Sequence, residues 1–172
     1  MDLRTERTLQ WIENAFVQLV LTEGFAKVTV SQLSNDAQIN RKTFYAHYLD
    51  KYDLATKLGQ SFLAQYDEAL QERLTDHTIN LQAMIDSFLL KENEGRLLRA
   101  LLLIHTEEFD FEQQFTALLK QRISQFWQTD DPLEMALLTN YALTTIRYYA
   151  ESNEPFSLER QIGIIRRLTD LI

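Results

Sequence analysis

Apolar residues recur at three- and four-residue intervals from the start of the chain. Between Arg4 and Glu23 they are Leu9, Ile12, Ala15, Phe16, Leu19 and Val20, so a helix is predicted there with one face buried. Gly24 follows as a left-handed stop, and Phe25 is placed to fold back onto the last turn. Thr29-Val30-Ser31-Gln32 has the form of a capping box, a hydroxyl at the N-cap and an amide three residues on. It opens a short helix over about 30–36, with Val30, Leu33 and Ala37 facing inward. Asn40 is a good N-cap for a further helix from Arg41 to about Tyr48. Asp50 then caps a long helix reaching roughly Leu74.

The remainder reads as more helices: 81–90, 96–104, 111–127, about 132–151, and from a Ser157 cap to Ile172. The first two are either continuous or broken near Asn93-Glu94-Gly95. Thr129-Asp130-Asp131-Pro132 is a helix start with an acidic cap and proline at the first helical position. The expected fold is all-α. A three-helix head is expected over residues 1–55 and a helical body over 56–172.

Composition supports that pattern and narrows the chemistry. Four Gly and two Pro in 172 residues leave long runs free of helix breakers. There is no Cys, which excludes disulfides and thiolate chemistry. The charged N-terminal stretch lacks the apolar centre of a signal peptide, and no apolar run approaches the ~20 residues of a membrane span. A soluble, cytoplasmic protein with no membrane partner is expected. The net charge of −8 argues against a nucleic-acid binder until it is located. Residues 1–58 hold seven Lys/Arg and seven Asp/Glu, so the whole excess lies in 59–172. Within the neutral head, Arg41, Lys42 and Lys51 make a small basic footprint.

The informative positions are Gly24-Phe25, Thr29-Val30, Leu33-Ser34, Ala37, Ile39, Thr43-Phe44-Tyr45, His47-Tyr48, Lys51 and Asp53-Leu54. They describe two short helices joined by a tight turn, with Phe44 and Tyr48 anchoring the second. Arg41, Lys42, Tyr45 and His47 then point elsewhere, as donors against base edges in a major groove would. The run VTVSQLSNDAQINRKTFYAHYLDKYDL, preceded by a helix ending in EGF, resembles the TetR family of helix-turn-helix regulators over about the first sixty residues. The resemblance implies phosphate binding by Thr29, a base contact by Ser31, and groove-facing roles for Arg41, Lys42 and Tyr45. It also implies backbone contacts from Thr43, Tyr45 and His47, and makes Lys51 a phosphate-binding lysine at a helix N-terminus. Two positions depart from the family pattern. Gln38 stands where the turn usually has Gly, so the turn carries strain or a different backbone geometry, and Lys42 replaces a small residue.

One head makes few contacts, so two heads reading a palindromic double-stranded operator are expected, half-sites about 35 Å apart. The homodimer interface is expected on the last two helices: Leu133, Leu137, Leu138 and Tyr141 on one, Leu158, Ile162, Ile165 and Leu168 on the other. Gly163 would admit a neighbouring helix closely. The alternative is that both stripes pack within one subunit. The family resemblance implies a pocket for a small apolar or aromatic effector among Phe62, Tyr66, Phe88, Phe115, Trp127, Tyr141 and Tyr148. The same spacing serves an ordinary core equally well.

The stretch from His105 to Glu112 has one His among carboxylates without a second nitrogen ligand, so it reads as an acidic helix start rather than a metal site. Phosphate-cradling Gly-rich loops and nucleophile motifs are absent, so no enzyme activity and no cofactor are expected. The leading expectation is a repressor released by a small molecule. The runner-up is a regulator, activators included, whose body binds a protein.

Overall fold

A computed structural model describes residues 3–76, 80–89, 92–152 and 154–170. The described residues form nine α-helices and one 3₁₀ turn, with no strand among them beyond an isolated bridge between His105 and Asp110. α1 (Leu3–Glu23) buries the expected face, Ile12, Ala15, Phe16, Leu19 and Val20, and adds Val17. Gly24 takes φ 82°, and Phe25 starts the 3₁₀ turn Phe25–Lys27 with its ring edge-on to Phe16. α2 (Val30–Asp36) and α3 (Arg41–Tyr45) are the two short helices, and α4 (Lys51–Thr75) is the long one.

α3 ends three residues before the Tyr48 expected from the sequence. His47 N–H bonds to the Phe44 carbonyl, a three-residue closure that tightens the chain after Tyr45. Asp50 must be extended (φ −163°) for its carboxylate to accept from the N–H groups of Tyr52 and Asp53. Residues 46–50 therefore form the turn that reverses the chain between α3 and α4.

In the body, α5 (Leu81–Leu89), α6 (Glu92–Leu102), α7 (Phe111–Trp127), α8 (Pro132–Ser152) and α9 (Leu158–Thr169) follow. α6 begins at Glu92, which puts Gly95 inside a helix rather than in a connection. A Cβ on Gly95 would collide with the carbonyl of Leu89, so glycine here is what lets α6 turn closely against the end of α5. Asp131 caps α8 through the Glu134 N–H (2.8 Å), with Pro132 at its first position. The sequence carried the last helix to Ile172, whereas α9 ends at Thr169; residues 171 and 172 lie outside the described residues.

α4 runs through residue 55 without a break, and buried residues from both sides join one apolar core. The head and body share that helix rather than meeting at a linker. α1 also packs on α6, where the Arg96 guanidinium donates to the Gln18 side-chain carbonyl (2.6 Å).

Candidate nucleic-acid interface

The capping box at Thr29 closes as the sequence predicts. Gln32 N–H donates to the Thr29 hydroxyl (3.2 Å), and Thr29 N–H donates to the Gln32 side-chain carbonyl (3.0 Å). The Gln32 amide also donates to Glu23 (2.9 Å), tying α2 to the end of α1. At the other end of α2, Gln38 N–H bonds to Asn35 O and Ile39 N–H to Ser34 O. That is a Schellman ending, which requires a left-handed residue at Gln38, and its φ is 53°. The turn keeps the geometry that glycine would favour and imposes it on a residue with a Cβ.

Asn40 caps α3 through the Lys42 N–H (2.8 Å), and Phe44 and Tyr48 sink into the core. Arg41 and Lys42 are exposed, Tyr45 is 56% exposed with its ring edge-on to Phe44, and Thr43 and His47 are half-buried. Ser31 and Arg41 are joined by a hydrogen bond from guanidinium to hydroxyl, so these two expected contact residues form one unit across α2 and α3. The result is a rim of donors on an anchored helix: a guanidinium, an ammonium, a phenol and hydroxyls. Such groups suit base edges and phosphate oxygens.

Lys51 is the first residue of α4, and its side chain turns back toward the 3₁₀ turn. Its ammonium donates to the carbonyls of Phe25 (2.9 Å) and Ala26 (3.0 Å) and lies over the Phe25 ring at 4.7 Å. Burial lowers its pKa. In this position it closes the end of the 3₁₀ turn onto α4. Lys57, which no sequence motif marks, has a matching job: it donates to His47 O (3.1 Å) and Asp53 (2.9 Å) and so fixes the 46–50 turn. The Leu49 N–H and Lys57 hold the Asp53 carboxyl below its ordinary pKa. Arg4 and Arg7 also lie outside the motif. They line a groove with Trp11, Asn40 and Thr43, and their three-residue spacing on the outer face of α1 was the available signal.

No family model matches the chain. A stretch of 98 residues is 30% identical to YxbF of Bacillus subtilis (strain 168), an uncharacterized HTH-type transcriptional regulator; it takes in 56% of this chain and 23% of that protein. The chain therefore matches only about a quarter of that relative's length. Among solved structures, NalD, the secondary repressor of the MexAB-OprM multidrug efflux pump in Pseudomonas aeruginosa, superposes with a TM-score of 0.67 at 22% identity, covering 91% of this chain and 90% of that one. A TetR-family transcriptional regulator from Streptomyces coelicolor gives 0.51 at 21% identity, with 94% of each chain covered. The chain has the TetR-family fold.

In this TetR-fold body the seven aromatics expected around a pocket are distributed over three places. Phe62, Tyr66, Phe88 and Phe115 are buried and stack edge-on against one another, Tyr66 to Phe115 at 4.9 Å and Tyr66 to Phe88 at 5.3 Å. Trp127 stands 53% exposed at the end of α7 beside Phe126. Tyr141 and Tyr148 line an open cleft of about 290 Å³ between α8 and α9, floored by Gln161 and Tyr149.

The residues expected at a dimer interface are mostly uncovered. Leu133 is 69% and Leu137 63% exposed, Leu158, Ile162, Ile165 and Leu168 are exposed, and Leu138 and Tyr141 are half-buried. α9 is tied to its own subunit at Gln161, which is buried beside the stripe and accepts from the Tyr141 hydroxyl (2.6 Å). A Cβ on Gly163 would meet only the Arg167 guanidinium, so its surroundings in the subunit are open.

No helix among the described residues is long and apolar enough to cross a membrane.

Proposed function

We propose that this chain is a DNA-binding transcriptional regulator, a repressor that acts as a homodimer on a palindromic operator and is released by a small molecule. The observation that carries this reading is the exposed rim of Arg41, Lys42 and Tyr45, held by the buried Phe44 and Tyr48 on a capped two-helix unit. In it α3 lies in the major groove, with Arg41, Lys42 and Tyr45 toward base edges. Thr29, Ser31, Thr43 and His47 face the backbone or the groove edge. A phosphate contact by Lys51 requires its ammonium to leave the Phe25 and Ala26 carbonyls. Two copies joined through the uncovered stripes of α8 and α9 supply the second half-site. The stripe on α9, apolar at three- and four-residue steps and left about half exposed by its own subunit, supports that dimer.

The deciding experiment is selection of the full chain on a random duplex library. The expected result is an inverted repeat with half-site centres about one helical turn or slightly more apart, roughly 35 Å. Absence of any enriched sequence removes the proposal. A second reading, a regulator controlled by a protein partner, draws on the filled Phe62–Tyr66–Phe88–Phe115 cluster and on the exposed Phe126 and Trp127. That reading expects capture of a partner to be lost in Trp127→Ala while the dimer persists.

A further inference from the structure

The cations of the head differ in what already holds them. The Lys51 and Lys57 ammonium groups donate to backbone carbonyls, and the Arg41 guanidinium donates to the Ser31 hydroxyl. An anion reaches either lysine only by replacing bonds that close the head, so the net gain is small. Arg7 is in the opposite situation. It is exposed on α1 and makes no hydrogen bond or ion pair among the described residues.

Arg7 lines an open groove of about 690 Å³ between the first turns of α1 and the segment 38–43, which carries the start of α3. Arg4 lines it from α1, and Gln38, Asn40 and Thr43 line it from the other side. The two guanidiniums can only donate. The Asn40 side-chain oxygen is taken by the Lys42 N–H (2.8 Å), which leaves its NH₂ group as the part that can bind a ligand. Gln38 and Thr43 add an amide and a hydroxyl. Among the described residues no carboxylate lines this groove, although the chain carries a net charge of −8. Leu3, Trp11 and Ile39 place apolar surface among the donors.

We propose that this groove binds the sugar–phosphate backbone of duplex DNA beside the base pairs faced by α3, with the Arg7 guanidinium on a phosphate. The site rests on the DNA-binding reading and adds α1 to it as a contacting element. A guanidinium meets two phosphate oxygens with two parallel N–H groups, which an unbonded Arg7 can do without giving up a partner. Asn40 and Thr43 donate to the same strand, and the apolar surface of Leu3 and Trp11 suits the sugars between phosphates. Arg4, three residues before Arg7, adds positive potential.

Thr43 belongs both to this groove and to α3, so a strand held here fixes the register in which α3 meets the bases. Phosphate contacts position a protein without reading sequence. The groove therefore strengthens binding to any duplex, and each phosphate it neutralises releases counterions that salt opposes.

The test follows binding of the full chain to a random-sequence duplex and to any enriched operator by fluorescence anisotropy across a salt series. Arg7→Gln is expected to flatten the slope of log affinity against log salt by about 0.9 for each head, close to two units for a homodimer, on both duplexes. Arg7→Lys, which keeps the charge, is expected to keep most of the slope. Lys120→Gln makes the same change in net charge at an exposed position of α7 and is expected to leave the slope as it was. Arg7 is exposed and unbonded, so Arg7→Gln should unfold at the wild-type temperature, and weaker binding is then not a loss of fold. An undiminished slope in Arg7→Gln, an equal loss in Lys120→Gln, or a loss confined to the operator would overturn the backbone site. A wild-type chain that binds neither duplex at low salt removes the DNA-binding reading and this groove with it. A wild-type chain that binds, with its slope kept in Arg7→Gln, removes the groove alone.

Discussion

In the head, the side chains of Thr29, Asn40 and Asp50 close onto backbone N–H groups two or three residues ahead. In the body, Phe62, Tyr66, Phe88 and Phe115 come from three different helices and close onto one another. A cap stabilises by about 1 kcal/mol and acts within one turn. An aromatic pair adds roughly 0.5–1.5 kcal/mol beyond its buried area and acts only once distant segments have met. The ends of the head's short helices are thus set largely piece by piece, while this centre of the body is set by mutual packing. This division leaves the head's outward donors free to vary for recognition without disturbing what holds it.

The largest effect expected from this contrast is in the body. Phe115→Ala should destabilise the protein by about 3–5 kcal/mol, measured by urea unfolding. A loss below about 1 kcal/mol would mean that the cluster collapses around the gap and is not the packed centre described.

The next is at the uncovered stripes. Leu137→Asp combined with Ile165→Asp should leave a folded monomer in sedimentation velocity and weaken operator binding by about 3 kcal/mol, roughly a hundred-fold. A dimer that survives both changes would place the interface elsewhere.

In the head, Tyr45→Ala should cost ~1–3 kcal/mol of operator affinity, read by fluorescence anisotropy, with the unfolding midpoint unchanged. If stability falls as much as affinity, the head's outer face is not separable from its scaffold.

The smallest effect concerns Gln38. Glycine relieves the left-handed strain but adds backbone freedom to the unfolded chain, so Gln38→Gly should raise stability by about 0.5–1 kcal/mol. A decrease would show that the Gln38 side chain supports the turn by contacts that outweigh the strain.

Legibility followed the same division. α2 begins and ends where the capping box and Asp36 place it, because every interaction that sets those ends lies within a few residues. The departure at Gln38 was readable for the same reason: a Schellman ending fixes φ whatever residue stands there. The end of α3 was misread by three residues because it depends on the Asp50 cap and the Lys57 tie, which act from the far side of the turn. Lys51 carried a charge in the expected place. Its direction was set by the Phe25 and Ala26 carbonyls, 26 and 25 positions away in the chain. No local pattern reports a bond of that span.

The sequence by itself determined the helical class, the caps, the two-helix unit with its anchors Phe44 and Tyr48, and the confinement of the negative charge to the body. These follow from periodicity, short-range hydrogen bonding and composition, which need no knowledge of long-range contacts. Tertiary structure alone decided that the seven aromatics separate into a core cluster, a surface pair and an α8–α9 cleft. It also decided that Leu133, Leu137 and the α9 stripe stay exposed while Leu138 and Tyr141 are half-buried, and that Glu13 and Glu94, 81 positions apart, line one cleft. Helical spacing tells which residues share a face. Only the packing of one helix on another tells whether that face meets a neighbour, a cavity or water.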